Sequence, residues 1–349
     1  MSLPTEHSVY HITERTGYSA IKQFQEPVPT ELGNQEVLIK VKAVSLNYRD
    51  LIIADGSYPQ FTKPNVIPTS DASCEVVQVG SSVTDLQVGD RAITSFYPEI
   101  LFGPMKDHNS AFGAGRDGLL SEYKVLPRYA LNKIPKDTHL THEEASVLVC
   151  TGVTAWNALY GSGRPLIAGQ TVLILGTGGV SITALILAKA AGAVTIITSS
   201  SDEKLEHTKE RYDPDYIINY KTYPDWEKKV LEITHGEGVD FVIENGGSGT
   251  IAKSIASTKY GGQISLVGFL SQPKSMPDVV LDLLMRGVTA RGINVGSKQL
   301  TEDLINMVHA RKLKMPVEKV FGFSQDQVHA AYAHLKSQTH IGKTVIRLD

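Results

Sequence analysis

The stretch Thr171-Val172-Leu173-Ile174-Leu175-Gly176-Thr177-Gly178 constrains the fold more than any other part of the chain. A nearly unbroken apolar run that ends in glycine is the pattern of a strand covered on both faces of a parallel sheet. Ser181 to Ala191, dense in Ala, Leu and Ile, reads as the helix behind it. Val194 to Thr198 reads as the next strand, and Asp202 to about Arg211 as a polar helix. Strands near Ile217-Ile218, Phe241-Val242-Ile243 and Ile264-Ser265-Leu266-Val267 continue the alternation. Strand–helix units repeated at this length predict a doubly wound parallel sheet with right-handed crossovers.

Upstream of about residue 130 the texture differs. Val37 to Val44, Cys74 to Val79 and Val88 to Ile93 are short β-type runs broken by Gly, Pro, Asn and Asp, which suggests a β-rich, barrel-like unit. A chain of 349 residues is long enough for two cores. After Val295 a helix from Thr301 to about Lys312 and a strand from Lys343 to Leu348 close the pattern. We therefore expect a β-rich domain from 1–132 and 298–349 and a cofactor-binding domain from 133–297. The formal net charge of −3 offers no concentrated positive surface, so no nucleic-acid partner is expected. No apolar run reaches the ~20 residues a membrane span requires. Two cysteines, Cys74 and Cys150, build neither a disulfide framework nor a four-cysteine zinc site, and the beginning of the chain has no secretory pattern. A cytoplasmic setting is the expectation.

Leu175-Gly176-Thr177-Gly178-Gly179-Val180-Ser181 sits where a strand hands over to a helix. Gly176 permits a tight turn, Gly178 lets the backbone approach a pyrophosphate, and the helix N-terminus supplies N–H groups and a favourable dipole. Ser181 stands where a third glycine is usual. An NAD enzyme normally has Asp or Glu at the end of the second strand. Here the segment reads Thr198-Ser199-Ser200-Ser201-Asp202-Glu203-Lys204. Hydroxyls and a lysine suit a 2′-phosphate, which a carboxylate would repel. The segment points to NADP (NADPH); on the other reading Lys204 is a solvated helix residue. Asn245, Val267, Phe269 and Val295, at or beyond the ends of later strands, complete the expected cofactor set.

At this point the chain resembles the medium-chain dehydrogenase/reductase superfamily over essentially its whole length. The matching segments are Ala43 to Asp50, Gly80 to Val83, Val88-Gly89-Asp90-Arg91, Cys150 to Trp156, the glycine-rich turn and Gly342 to Ile346. The resemblance implies an α/β fold: a Rossmann doubly wound parallel sheet plus a β-rich, barrel-like (GroES-like) catalytic domain completed by the C-terminal segment, with the active site in the cleft between the domains. It also implies a homodimer. Thr154 matches a threonine near the nicotinamide, and Tyr220 a tyrosine that flanks the 2′-phosphate in related NADPH enzymes; Tyr220 serves equally to cover the sheet end.

Zinc members of the superfamily bind the catalytic metal with a Cys, a His and a second Cys. The matching positions here are Asn47, Ser70 and Cys150, with Asp71 beside Ser70. An amide and a hydroxyl do not replace a thiolate and an imidazole, so no metal is expected. His7, His11, His139 and His142 stand at no ligand spacing with acids or cysteines. In Pro98 to Gly118, a candidate lid, His108 reads as a solvated loop residue. Cys150 reads as a small residue lining the cleft.

The zinc-free quinone oxidoreductase branch keeps an Asn-x-x-Asp element, matched by Asn47 and Asp50. Asn47 would bond the substrate oxygen or the cofactor. Asp50 either shares in catalysis or fixes the turn, and Tyr48 and Arg49 either polarise the substrate or pack. Ile52 stands where that branch often has a tyrosine. Together these residues lead to NADPH-dependent hydride transfer to a quinone, enone or enal, whose conjugation spreads the arriving charge so that hydrogen bonds suffice. The alternatives are a zinc-free alcohol or aldehyde dehydrogenase/reductase and, in another class, an NADPH-binding redox sensor or structural protein with little turnover.

Overall fold

The computed structural model describes residues 3–271 and 277–348. They divide into two compact units, one formed by residues 1–153 with 296–349, the other by 154–295.

The first unit is built on the strand Glu36–Ser45, whose apolar residues are buried along its length. Asp71–Val79 pairs antiparallel along one side, and the last strand, Lys343–Arg347, pairs antiparallel with its C-terminal end. Tyr123–Pro127 takes up the N-terminal half. Arg91–Thr94, Leu131–Lys133 and Val317–Phe321 extend the sheet to seven strands. Two register shifts in the Glu36–Ser45 pairing, at Leu38/Ile39 and Val41/Ala43, bend the sheet onto a single core of Val, Ile, Leu and Tyr10. The helix Gln325–Ser337 closes it with Val328, Ala331, Tyr332 and Leu335, the one-sided spacing of an amphipathic helix.

Residues 133–153, grouped above with the cofactor domain, pack here in the first unit. The helix His142–Val147 starts at a capping box in which Thr141 and Glu144 satisfy each other's backbone N–H. Its apolar side lies on the strands Glu36–Ser45 and Asp71–Val79. His142 accepts or donates a hydrogen bond at 2.8 Å with Ser73 Oγ, and burial, followed by Arg91, pulls its imidazole down to about 4. Below ~6.5 the unfolded chain therefore takes up a proton that the folded chain refuses until about pH 4, so stability falls as pH drops through that window. His142→Gln is expected to relieve this. Its melting midpoint relative to wild type should rise as pH is lowered from 7 toward 4.5, with linkage worth up to on the order of 3 kcal/mol. A difference that stays flat with pH would remove His142 from the acid sensitivity.

The second unit is a six-stranded, all-parallel sheet. In space the order is Tyr216–Asn219, Val194–Ser199, Thr171–Leu175, Val239–Glu244, Thr258–Leu266, Thr289–Gly292. Numbered along the chain this is 3-2-1-4-5-6, the doubly wound order whose switch point lies beside Thr171–Leu175. The strand Val239–Glu244 is buried at every residue, and Leu173, Ile196, Val242 and Ile264 meet Trp226, Val230 and Ile255 from the helices. No helix among the described residues is long and apolar enough to cross a membrane.

Candidate active site

In the second unit the strand Thr171–Leu175 ends in Gly176, whose φ of 80° places it in the left-handed region that glycine tolerates. The helix Gly179–Ala190 begins immediately, with Gly178 as its N-cap and no side chain capping its first N–H groups. Gly178 itself has ordinary backbone angles, φ −78° and ψ −176°, and a Cβ there would meet nothing within 4 Å. Neither the backbone nor any neighbour requires glycine at this position, so the open space lies where an anion would approach the helix N-terminus. Ser181 explains its own departure from the three-glycine pattern. Its hydroxyl donates to the Leu175 carbonyl at 2.9 Å and accepts from Asn245 Nδ2 at 3.0 Å, while Asn245 also donates to Leu175 O. Asn245 thus braces the turn.

Ser199, buried, ends the second strand, and Ser201 Oγ caps the next helix by accepting from Lys204 N. The first carboxylate, Asp202, is hydrogen-bonded to Asn219 Nδ2 at 2.7 Å. No acid therefore stands at the strand end itself. Ser200 is partly exposed and Tyr220 exposed beyond the third strand. Thr177 and Thr154 are buried, Val180 and Val267 are partly buried, and Phe269 is 62 % exposed. Val295 is unusual: a β-branched residue at φ 53°, a strained conformation. Asn157 Nδ2 holds its carbonyl at 2.7 Å, and Arg291 in turn holds Asn157 Oδ1 at 2.9 Å.

In the first unit, sheet register assembles the Asn47 centre. Ser45 pairs with Asp71 on one side and with Val345 on the other. Two residues further along, the same antiparallel register brings Lys343 beside Asn47. Lys343, 3 % exposed, donates to the Leu46 carbonyl and, at 2.6 Å, to Asn47 Oδ1; its Nζ lies 4.0 Å from Asp71 Oδ2. Asn47 caps the helix Tyr48–Ala54, its N–H donating to Asp50 Oδ2 at 2.8 Å while Asp50 N–H donates to Asn47 O. Asn47 Nδ2 is buried, and the Asn47 amide helps to hold the Asp71 carboxylate down.

Burial lifts Asp50 to about 6 against the opposing pull of Arg49. Burial also raises Asp71, opposed first by Lys343 and then by the Ser70 hydroxyl, which donates at 2.6 Å. Arg49 donates to Phe112 O at 2.8 Å and lies over the rings of Phe96 and Tyr58 at 4.6 and 5.5 Å. That cation–π clamp commits its guanidinium to the protein. Tyr48, the first helical residue, is exposed. Cys150 lies in a π-helical turn, Leu148–Gly152, and its N–H donates to Asp71 Oδ2 at 3.2 Å. Burial, reinforced by Asp71, pushes its thiol up to about 12, so it is neutral near pH 7. Among the described residues no group of three His, Cys, Asp or Glu is arranged to hold a metal.

Thus Asn47, Arg49 and Asp50 come together, Tyr48 points away to solvent, and two members of the centre were not among the expected catalytic residues. Asp71 stands in the sequence beside Ser70. Lys343 lies nearly three hundred residues from Asn47, and only the register of the closing strand joins them.

Two family descriptions match the chain: an alcohol dehydrogenase GroES-like domain over residues 33–136 and a zinc-binding dehydrogenase over residues 179–310. A zinc-type alcohol dehydrogenase-like protein of Schizosaccharomyces pombe is 42 % identical over 342 residues, covering 96 % of this chain and 97 % of the relative. An acryloyl-coenzyme A reductase of Sulfurisphaera tokodaii is 26 % identical, covering 95 % and 97 %. The crystal structure of a candidate alcohol dehydrogenase of Sinorhizobium meliloti superposes with a TM-score of 0.89 at 35 % identity, covering 99 % of this chain and all of that one.

Proposed function

The chain belongs to the medium-chain dehydrogenase/reductase superfamily, an oxidoreductase family that uses nicotinamide cofactors, and from that premise we propose that it is an NADPH-dependent, zinc-independent reductase of conjugated carbonyl acceptors such as enones, enals or quinones. The observation that carries this reading is the make-up of the Asn47 centre. Where zinc members present ligands, this chain has an amide oxygen hydrogen-bonded to an ammonium, a hydroxyl bound to Asp71, and a neutral thiol. A cationic lysine beside Asn47 and Asp71 occupies the electrostatic niche a metal would need, and the donor set does not fit zinc.

The residues do fit a dinucleotide. Gly176, Thr177, Gly178, Gly179 and Val180 would hold the pyrophosphate at the helix N-terminus. Ser199, Ser200, Ser201, Lys204 and Tyr220 would read the 2′-phosphate, and Thr154, Asn245, Val267, Phe269 and Val295 would hold the nicotinamide half. When bound, the cofactor supplies the hydride. The chain's own contribution is to orient the acceptor and to stabilise the oxygen that becomes an enolate or phenolate. An amide N–H donor is adequate for that charge, whereas oxidising a simple alcohol needs a metal or a base free to take its proton, and Asp50 and Asp71 are already held by the Asn47 N–H, the Ser70 hydroxyl and the Cys150 N–H. The acryloyl-coenzyme A reductase similarity supports a conjugated acceptor.

We extend the reading to a homodimer in a reducing, cytoplasmic setting. The edge strand Thr289–Gly292 is open, the neighbouring helix Val279–Arg286 exposes Val280, Leu284 and Met285, and both cysteines are free thiols.

The test is oxidation of NADPH and of NADH by EDTA-treated, metal-analysed protein against enones, enals, quinones, aldehydes and alcohols. NADPH-linked turnover of the conjugated acceptors without bound zinc is the expected result. Activity that depends on zinc, or confined to alcohols, would overturn it, and tight NADPH binding with no turnover would move the protein to the sensor reading. Light scattering on the same preparation should give twice the chain mass; a single-chain mass removes the dimer.

A further inference from the structure

We propose that Asn157 and Arg291 are positioning residues of the cofactor site: together they hold Val295 in its left-handed conformation and so fix the stretch of chain that meets the nicotinamide end of the dinucleotide. This inference rests on the cofactor reading above, and all three residues belong to the second unit.

Asp213 and Gln338 also have positive φ, but each ends a helix, where a left-handed residue is an ordinary stop. Val295 ends none. It lies between the strand Thr289–Gly292 and the helix Lys298–Ala310, and its branched side chain makes φ 53° costly. Such a conformer persists only where the surroundings impose it. Its place is that of a cofactor contact. The residue lies past the carboxyl end of a parallel strand, the edge at which this strand order binds dinucleotides. Thr154, set at the nicotinamide by the same reading, stands one turn before Asn157 on the helix Val153–Tyr160 and shares its face.

What imposes the conformer is an amide whose two ends are both assigned by their partners. The Arg291 guanidinium has donors only; its Nη1 donates to Asn157 Oδ1 at 2.9 Å and its Nη2 to the Asn157 carbonyl. The oxygen end is thereby taken, and Nδ2 donates to the Val295 carbonyl at 2.7 Å. Asn157 stands on a helix and Arg291 on the last strand of the sheet, so two regular elements grip one carbonyl. The other side of the residue is left open. Among the described residues nothing accepts a hydrogen bond from the Val295 N–H, although the residue is only 7 % exposed. A buried N–H without a protein partner is rare, and a bound ligand satisfies it. Asn157 and Arg291 would therefore act on the cofactor through Val295, without touching it.

The full-length protein is made as Asn157→Asp, Arg291→Lys, Val295→Gly and the Arg291→Lys/Val295→Gly pair. Each is titrated by calorimetry with NADPH and with 2′-phospho-ADP-ribose, the same molecule without its nicotinamide. Should wild type prefer NADH, that cofactor and ADP-ribose serve in the same way. Aspartate keeps the shape of asparagine and its pairing with Arg291, but sets an oxygen against the Val295 carbonyl. Lysine cannot hold Oδ1 and the Asn157 carbonyl from one plane, so the amide is released. Asn157→Asp and Arg291→Lys should each weaken the complete cofactor about tenfold, the worth of one hydrogen bond, and leave the truncated ligand within about twofold. Glycine reaches φ 53° without strain. In the Val295→Gly background, adding Arg291→Lys should therefore cost less than about twofold. Equal losses of both ligands, as a merely structural role would give, or a tenfold loss that persists beside Val295→Gly, would overturn the proposal.

A second measurement does not depend on any ligand. In valine-13C-labelled protein the Val295 Cα resonance, assigned by its absence in Val295→Gly, should move toward extended-strand values in Asn157→Asp and in Arg291→Lys. An unmoved resonance would overturn the clamp. If Arg291→Lys fails to fold, Asn157→Asp, which keeps the arginine paired, is read in the same two ways. Wild type that binds no dinucleotide would sink the cofactor reading and with it the ligand of Val295, while the resonance would still decide what holds its conformation.

Discussion

Gly178→Asp should fold as well as wild type and bind neither NADPH nor NADH. Both halves of this expectation come from the same local geometry. The residue has φ −78° and ψ −176°, which any L-residue adopts, and its Cβ would enter open space. Aspartate is also among the best N-cap residues, so the helix Gly179–Ala190 should gain a cap that it now lacks. The melting temperature is expected to stay level or rise slightly. A carboxylate at that point, however, would occupy the approach of an anionic ligand and spend the helix dipole and free N–H groups on itself. Loss of charge-assisted contacts plus repulsion should weaken both dinucleotides by more than about 100-fold, or roughly 3 kcal/mol. Titration calorimetry beside a thermal melt reads both quantities. Retained affinity in a folded Gly178→Asp protein would remove this turn from the cofactor site and with it the oxidoreductase assignment of the second unit.

The parallel sheet was legible because its strands are apolar throughout and its helices follow at regular spacing. Thr171–Leu175 was read to the residue, and Val194 to Thr198 and Asp202 to about Arg211 to within a residue at the C-terminal end. The first unit was harder for a physical reason. Its central strand pairs across long sequence gaps with shifts of register, and neither Val317–Phe321 nor the helix Gln325–Ser337 was anticipated. In that helix Ala and Tyr replace the larger aliphatic residues that mark an apolar face. The capping box at Thr141 and Glu144 was a readable start signal, and it marks a helix that packs on the first unit. The candidate site divides in the same way. Asn47 and Asp50 are three residues apart and local hydrogen bonding joins them, so a motif suffices to find them. Lys343 joins them only through strand register, which no local pattern encodes, although a lysine opening the closing strand was itself a signal. The strained φ of Val295 left no mark in composition at all.

Gly118→Ala should be among the most destructive single-methyl changes in the first unit. A Cβ at Gly118 would lie 2.0 Å from Thr69 O, 2.4 Å from Pro68 O and 2.7 Å from Ile67 O. All three atoms belong to backbone, so no side-chain rotation can make room. The crossing is also fixed by hydrogen bonds, from Gly118 N–H to Ile67 O and from Leu119 N–H to Pro68 and Thr69 carbonyls. Gly113 also crowds this residue, its Cβ position being 2.7 Å from Thr69 O and 2.8 Å from Thr69 N. Between these two glycines Thr69 is held at φ 68°, a conformation a β-branched residue adopts only when its surroundings impose it. Ser70 and Asp71 follow directly, so the glycine crossing is what delivers the Asp71 carboxylate to Lys343 and Cys150. Forcing the two segments apart should cost about 3–5 kcal/mol, the range in which buried overpacking joined to broken backbone hydrogen bonds falls. We expect a large drop in the urea midpoint and, in any protein that remains folded, loss of oxidoreductase activity with dinucleotide binding kept, since Gly176 and Gly178 belong to the other unit. A stable Gly118→Ala protein with full activity would mean that the crossing can relax without moving Asp71, and that the strain at Thr69 is incidental to the site.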